Sequence, residues 1–597
     1  MKKIIQLALL LAILMPAAAT AYDFEVDGIY YNRSGQNAIV TYKGYNGNDY
    51  YNDYSGDLVI PDSVTWGDKT YPVTSIANYA YNKTTGLTSV TLPSTVTKID
   101  NYAFYGCTEI IEINLPDNLS TIGKYAFAQC SGLTSITIPQ GVTSIADHAF
   151  SPCENVKILN FNAIACNNFS GAYSTPFEFK YFEEINIGEG VQRIPDYFAY
   201  NSMTITSLDI PNSVTYIGTF AFYYSINLVT HLHISSAVTH IGLNALHGCM
   251  YLTGISVDEN NPVYDSRDNC NAIIETATNT LINGCTYTVI PNTVTAIAES
   301  AFMQNIDSNH TPLVVPNSVT SIGYRAFAYT SNFKGIHIGS GVTSIGAEAF
   351  AGCKDMVTIT VDENNPVYDS RDSCNAIIET ATNTLVVGSK KTIIPNTVTA
   401  IGDYAFNRYA ISSITIPNSV TTIGDYAFQY CGLSELNMGN SVTHVGIEAF
   451  YDSRIANLII PKSITYMGRH AFSSYSVYDV YCYIPDPSLV TTGSQVFRPS
   501  SDMYFHRLHV PAGSLEAYQN DDNWNWLFGE IVEMDPTGDA NGDGTFSISD
   551  VTTIIDYLLG GISLPSINRI NADINCSGDL TIGDLTALID KLLSNGF

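Results

Sequence analysis

The residues best placed to do chemistry lie near the end of the chain, in Asp539-Ala-Asn541-Gly-Asp543-Gly544-Thr545-Phe-Ser547-Ile-Ser-Asp550. Oxygen-bearing side chains stand here at alternate positions, with a glycine at the sixth and a carboxylate at the twelfth. A hard divalent cation takes about six to eight oxygen ligands, and this spacing wraps them around one centre. The same loop returns 34 residues later as Asp573-Ile-Asn575-Cys-Ser577-Gly578-Asp579-Leu-Thr581-Ile-Gly-Asp584. The predicted ligand sets are Asp539, Asn541, Asp543, Thr545, Ser547 and Asp550 in the first loop, and Asp573, Asn575, Ser577, Asp579, Thr581 and Asp584 in the second. The expected cofactor is Ca2+, two ions. Ser577 stands where an acid would add charge, so the second loop is expected to bind more weakly. Each loop runs into residues at three-and-four spacing: Val551, Ile554, Ile555, Leu558 and Leu559, then Leu585, Leu588, Ile589, Leu592 and Leu593. That is the stripe of an amphipathic helix. Two solvated acidic turns would explain one loop; two in register, each opening a helix, argue for the cation.

Little else in the chain reads as catalytic. The sequence holds no Gly-x-Ser-x-Gly, no His-Glu-x-x-His and no glycine-rich phosphate loop. Its 11 histidines are scattered. Lys and Arg number 26 against 56 Asp and Glu, a net charge of −30, which repels a phosphate backbone and argues against nucleic-acid binding. Charged residues are only 14% of the chain while hydrophobic residues are 45%, so it has enough apolar surface to fold. The 40 tyrosines point to a polar, sparsely charged surface.

Most of the chain is one repeated unit, seen in Leu133-Thr-Ser-Ile-Thr-Ile-Pro139, Val142-Thr-Ser-Ile145, then Ala149-Phe150 and Cys153. The phenylalanine recurs at Phe104, Phe127, Phe150, Phe198, Phe222, Phe302, Phe327, Phe350, Phe406, Phe428, Phe450 and Phe472, mostly at 22–25-residue spacing, with Tyr81, Leu246 and Phe497 as degenerate copies. Alternation in Leu-x-x-Ile-x-Ile predicts a short strand. The proline ends it. Val and Ile then begin a second inward segment, and a glycine such as Gly123, Gly346 or Gly424 is expected to permit the next bend. One unit cannot bury its apolar side alone, so roughly fifteen must stack as a mainly β solenoid. Cys107, Cys130, Cys153, Cys249, Cys353 and Cys431 share one repeat position and are expected to be small buried side chains rather than a disulfide framework. Residues 257–281 and 361–385 differ only at Asn269 versus Ser373, 104 residues apart, so a block has been copied. These inserts, near 258–290 and 362–394, are expected to be solvated hairpins that interrupt the stack and add bulk outside it.

Two faces are candidates for binding. The outward mid-strand positions (Thr91, Asn114, Thr137, Asp209, His233, Ser256, His337, Thr360, Thr415, Asn437) are polar and uniform. Tyr79, Tyr102, Tyr125, Tyr404 and Tyr426 stand two places before the anchor and should stack into ladders. Such ladders either dock sugars or partner proteins, or simply staple adjacent coils. At the other end, Lys2 and Lys3, an apolar run over 4–15, and Ala17-Ala-Ala-Thr-Ala21 read as an export signal cleaved before Tyr22. No later stretch is apolar enough to span a bilayer, so the mature protein is expected to be secreted or at the cell surface.

The repeated unit, over about 58–500, resembles the BspA-type leucine-rich-repeat proteins, an exported and cell-surface bacterial group. Tyr22-Asp-Phe-Glu-Val-Asp-Gly-Ile-Tyr30 is similar to that family's opening segment, and Val510-Pro-Ala-Gly-Ser-Leu-Glu-Ala-Tyr518 with Trp524 and Trp526 to its closing cap. The order expected is signal peptide 1–21, N-terminal β cap 22–57, solenoid 58–500, C-terminal cap 501–534 and tail 537–597. The tail resembles a type I dockerin. That resemblance implies a small all-α, calcium-folded module that plugs into a cohesin on a scaffold protein. The family's recognition pair falls on Ile548-Ser549 and Ile582-Gly583, where the common Ser-Thr is absent. The resemblances together imply a non-catalytic adhesion protein that recognises an extracellular protein or glycan. Two alternatives are a component of a polysaccharide-degrading, cellulosome-like complex and a structural surface protein with a calcium-stabilised tail.

Overall fold

The structure is a computed structural model describing residues 21–594, except 48, 178–181, 226, 229–230, 306–311, 475–476, 478, 498–504, 526, 544 and 563. Residues 1–20 of the expected export signal lie outside the described residues, as do Trp526 and Gly544. The fold is a mainly β solenoid of about 19 turns followed by a short helical region. It divides into two compact units, Met1–Ala277 with Asn283–Thr288, and Thr278–Ile282 with Val289–Phe597.

The first unit opens with an antiparallel meander, Phe24–Val26, Ile29–Ser34 and Asn37–Thr41. Asn37–Thr41 then pairs in parallel with Lys69–Ile76, which pairs in parallel with Lys98–Ile99 of the first regular coil. Phe24, packed on Tyr31 and Trp66, closes this end. Gly56–Val59 already pairs in parallel with Leu87–Thr91, and the hairpin of Ser63–Trp66 with Lys69–Ile76 follows it.

Each coil is then held to the next by three sets of backbone hydrogen bonds. Ser135–Ile138 pairs in parallel with Ile158–Phe161, and Thr121–Ile122 with Ser144–Ile145. At the third corner of the regular coils the anchor amide donates to a carbonyl one coil on, Phe104 to Ala126 and Phe127 to Ala149, both at 2.7 Å. In the coil of Phe198 the place expected of that phenylalanine is taken by Ala199, whose amide donates to Ala221 O at 2.6 Å two residues after the positive φ of Tyr197. The anchor rings stack in the interior, Phe104 on Phe127 at 5.1 Å and Phe127 on Phe150 at 5.0 Å. The proline after each long strand opens a turn closed by the amide three residues on, as Val142 to Pro139 O at 3.2 Å.

Two expectations change in detail. The bend does not need glycine for its dihedral angles. The positive φ falls on the residue two places before the anchor, at 60° for Tyr79, 56° for Tyr102 and 54° for Tyr125. The glycine is required by crowding: a Cβ on Gly123 would lie 2.5 Å from the carbonyl carbon of Asp100 in the preceding coil. The repeat-position cysteines are buried free thiols, as expected, but they also act as donors. Cys107 Sγ donates to Tyr81 O at 3.0 Å, Cys130 to Phe104 O at 3.2 Å and Cys153 to Phe127 O at 3.2 Å. Burial pushes the Cys107 thiol up to about 12, so it stays protonated.

The second unit repeats this plan. Thr422–Ile423 pairs with His444–Val445, Phe428 stacks between Phe406 at 4.8 Å and Phe450 at 5.1 Å, and Cys431 Sγ donates to Phe406 O at 2.7 Å. In one coil that lacks the cysteine a hydroxyl replaces it: Thr330 Oγ1 donates to Phe302 O at 3.0 Å. The insert does not lie outside the stack. Its hairpin of Ile377–Glu379 and Thr384–Val387 places Thr384 and Leu385 in parallel register with Ala400–Ile401, and Ile377, Ile378 and Leu385 are buried. The insert's acidic stretch is turn chemistry. Asn365 Nδ2 donates to Gly339 O at 2.9 Å and Val342 O at 3.0 Å in an earlier coil, its Oδ1 accepts from Val367 and Tyr368, and Asp369 pairs with Arg371. The strands Asp479–Cys482, Phe505–Val510 and Phe528–Glu533 continue the long ladder. The helix Leu515–Gln519 (α1) carries Tyr518, whose hydroxyl donates to Ile484 O at 2.8 Å, and buried Trp524 packs on Tyr518 and Phe497.

Phe428→Ala should lower unfolding stability by about 3–5 kcal/mol, since it opens a cavity in the ring stack. Cys431→Ala, which removes one of two donors to Phe406 O and leaves the Tyr409 amide at 3.1 Å, should cost about 0.5–1.5 kcal/mol. Cys431→Ser, which keeps a donor, should cost less than Cys431→Ala, as read from denaturant midpoints.

Candidate calcium-binding and partner-docking module

Three helices follow the cap: α2 (Ile548–Leu558), α3 (Ser566–Ala572) and α4 (Ile582–Ser594). Ser547 caps α2, and Asp550 returns the contact as a capping box. Ala540, Val551, Ile554, Ala572 and Leu588 form the core, flanked by Phe546, Leu558, Ile574, Leu580, Leu585 and Leu592. The small core explains why the predicted helical stripes are wider than what is buried. Ile555, Leu559, Ile589 and Leu593 face outward, together with Ile548, Ile562 and Ile582.

The two loops are built alike. Asp550, fully buried, accepts from Asn541 N at 3.0 Å and Ser547 N at 2.8 Å. Asp584, also fully buried, accepts from Asn575 N at 3.4 Å and Thr581 N at 2.9 Å. Each closing carboxylate thus gathers the amides of loop positions three and nine. The opening acids hold the turn: Asp539 Oδ1 accepts from Gly542 N and Asp543 N, and Asp573 accepts from Ser577 N and Gly578 N. Burial pushes the Asp573 carboxyl up to about 6, opposed by those two amides and reinforced by the charge of Asp584. Asp543 is held below its usual range by the hydroxyl of Thr545 and the side chain of Asn541. Among the described residues no three acidic, thiol or imidazole side chains are gathered as an ion would need. Half of each predicted set is neutral oxygen (Asn541, Thr545, Ser547; Asn575, Ser577, Thr581), and a mixture of carboxylate and neutral oxygen is what calcium takes.

Of the predicted recognition residues, Ile548 and Ile582 are 65% and 73% exposed, Gly583 is exposed, and Ser549 Oγ accepts from Asn541 Nδ2 at 2.9 Å. In the solenoid, Tyr79, Tyr102 and Tyr125 stack at 5.0 and 5.1 Å, and Tyr404 and Tyr426 at 4.9 Å. Tyr50 and His148 extend the first ladder at its two ends. Their faces cover one another, so each half-buried ring presents its edge. The outward strand positions line up rung by rung, Thr91 with Asn114, His233 with Ser256, and Thr415 with Asn437. Among the described residues no helix is long and apolar enough to cross a membrane.

The model of the BspA type leucine rich repeat region matches residues 68–173, 172–277, 283–376 and 387–503. The chain belongs to the BspA-type leucine-rich-repeat family. The model of the dockerin type I domain matches residues 537–593, so this BspA-type chain carries a type I dockerin, a calcium-binding module. Similar solved structures include a leucine rich cell surface protein from Faecalibacterium prausnitzii, at 26% identity over 71% of this chain and 96% of that one, TM-score 0.43. A leucine-rich-repeat protein from Bacteroides ovatus matches at 18% identity over 85% and 100%, TM-score 0.35. The pneumococcal vaccine antigen PcpA matches at 16% identity over 86% and 99%, TM-score 0.31. No curated protein matches the chain.

Asp550→Ala should leave the Asn541 and Ser547 amides without their shared acceptor. Hydrogen exchange across Ile548–Leu558 should then speed by about tenfold or more, from the roughly 1–3 kcal/mol cost of unmet buried amides.

Proposed function

We propose that this is an exported, non-catalytic binding protein, whose solenoid recognises an extracellular protein or glycan and whose tail fastens it to a cohesin-bearing scaffold. The observation that carries the docking half is the pairing of two like-built loops with outward apolar side chains. Ile548 and Ile582 stand at equivalent places, two residues before the buried closing acids. An exposed apolar pair on so small a module marks a surface meant to be covered. In this reading the two predicted ligand sets each hold one calcium ion, and the ions order the loops that present those isoleucines. The Ile-Ser and Ile-Gly pairs suit a cohesin with an apolar recess rather than one read by hydroxyls. The half-buried tyrosine ladder from Tyr79 to Tyr125 is the proposed ligand edge of the solenoid, where hydroxyls in a row offer hydrogen bonds to sugar or peptide. Export rests on the leader read in residues 1–21, with cleavage before Tyr22.

Calcium titration of the full chain should saturate at two ions, and chelation should lower the helical signal. Cohesins immobilised from the same genome should retain the calcium-loaded chain. Ile548→Asp with Ile582→Asp should abolish retention while leaving calcium stoichiometry at two. Retention by the double variant equal to the parent would sink the docking surface named here. Sugar release from polysaccharides by the purified chain would overturn the non-catalytic reading.

A further inference from the structure

The outward strand face changes character in the last coils. Through most of the solenoid its middle rung is Thr, Asn, His, Ser or Asp. Ile459 and Tyr481 then occupy the rungs after Asn437, in register with each other. One residue past its strand, Tyr483 stands where the preceding coil has Pro461. Single apolar rungs elsewhere, Val59 and Val314, stay exposed, whereas these adjacent ones are covered by the tail. Ile570 of α3 and Met534 pack with Tyr481 and Tyr483, flanked by Ile459 and Cys576.

The cover falls on the second calcium loop itself. Lys462 Nζ donates to Ser577 O at 3.0 Å and to Asp579 Oδ2 at 3.1 Å. Asn440 Nδ2 also donates to Asp579, and Arg569 to Asn437. The Tyr483 ring lies 3.2 Å from where a Cβ of Gly578 would be, so any side chain at the loop's sixth position would push the two surfaces apart by a few tenths of an ångström. The Tyr483 hydroxyl faces the carboxylate of Asp573, the loop's first predicted ligand, closely enough for that charge to act on it. The solenoid therefore touches the loop at its fifth, sixth and seventh positions and faces its first.

We infer that the solenoid completes the second calcium site: Tyr483, Lys462 and Asn440 are positioning residues for the loop, and ion binding there and seating of the tail on the last coils are one coupled event. The physical reason is preorganisation. With Ser577 at position five, the side-chain ligands at positions one, three, five and twelve carry two carboxylates against three in the first loop, and a loop whose backbone is already held loses less entropy when it closes on an ion. Lys462 supplies no repulsion that outweighs this, because its charge is engaged by the Asp579 carboxylate, whereas position seven lends its carbonyl. Coupling is reciprocal, so calcium in loop two must tighten the seat by the same factor. The seat uses α3 and loop two, and leaves Ile548 and Ile582 outward. The inference rests on the tail being a two-calcium module, and the following experiment separates the two.

Cys576 sits at the seat and is the one cysteine of the twelve that is not buried, so its labelling by a maleimide reads seating directly. In the full chain carrying Asp539→Ala, which removes the first site, calcium affinity reports loop two alone. Lys462→Met and Tyr483→Phe, singly and together, should weaken that affinity, by about fivefold or more for the pair. With both loops intact, saturating calcium should slow Cys576 labelling in the parent and much less in the paired variant. Lys462→Met changes an exposed side chain and keeps the test readable if Tyr483→Phe disturbs folding. Unchanged loop-two affinity and unchanged labelling in the variants, with two ions still bound, would overturn the seat and leave the calcium module standing. Absence of calcium binding by the parent would overturn both.

Discussion

The carbonyl at the aromatic corner is the constraint on which the solenoid depends. The third corner of a coil is neither helix nor long strand, and its carbonyls are buried. Left unmet there, a carbonyl costs about 1–3 kcal/mol, and the cost would recur from coil to coil. In the regular coils the carbonyl before an anchor accepts the anchor amide of the coil before it, as Ala126 O from Phe104 N. The anchor's own carbonyl accepts an amide of its own coil and a thiol or hydroxyl of the next, as Phe104 O from Cys107 N at 3.3 Å and from Cys130 Sγ at 3.2 Å. Ring stacking and the left-handed tyrosines follow from that arrangement. The backbone must turn sharply to aim the anchor amide along the stack, and the φ near +55° at Tyr102 and Tyr125 is the turn that does so. Each such residue is strained by about 1 kcal/mol, offset by its own hydrogen bond to the next coil, as from Tyr102 N to Lys124 O at 2.9 Å.

Much of this was legible in the sequence because repetition amplifies it. The strand, the proline stop, the anchor and the need to stack follow from side-chain period alone. What stayed hidden was the reason behind several positions. A glycine before a bend suggests a dihedral requirement, yet Gly123 is fixed by a neighbouring backbone that the sequence does not show. A cysteine recurring three residues after six of the anchors suggests small volume, yet its proton is what the fold uses. The duplicated inserts looked like excursions because Asp, Asn and Arg cluster in them. Three-dimensional contact reveals that Asn365 ties the turn to earlier coils and that Leu385 returns to the ladder.

The tail divides in the same way. Alternating oxygens announced the loops, and the closing acids Asp550 and Asp584 prove to be buried and to hold matching amides. The face against which the second loop rests left only a faint trace, the replacement of polar rungs by Ile459 and Tyr481. That trace is readable once the outward positions are aligned coil by coil. Among so many acids the few cations are placed with economy: Lys462 and Arg569 both serve the contact between the tail and the last coils.

The near-identical copies at 257–281 and 361–385, 104 residues apart, have a consequence for how such a chain can change. Every regular coil offers its neighbours the same three rows of donors and acceptors, so recombination between equivalent positions joins compatible surfaces whichever coils are brought together. The chain can gain or lose reach in whole steps while the aromatic plug around Trp524 and the opening meander remain untouched. Length in this protein is then an inheritable variable separate from its stability, adjustable by unequal exchange rather than by point substitution.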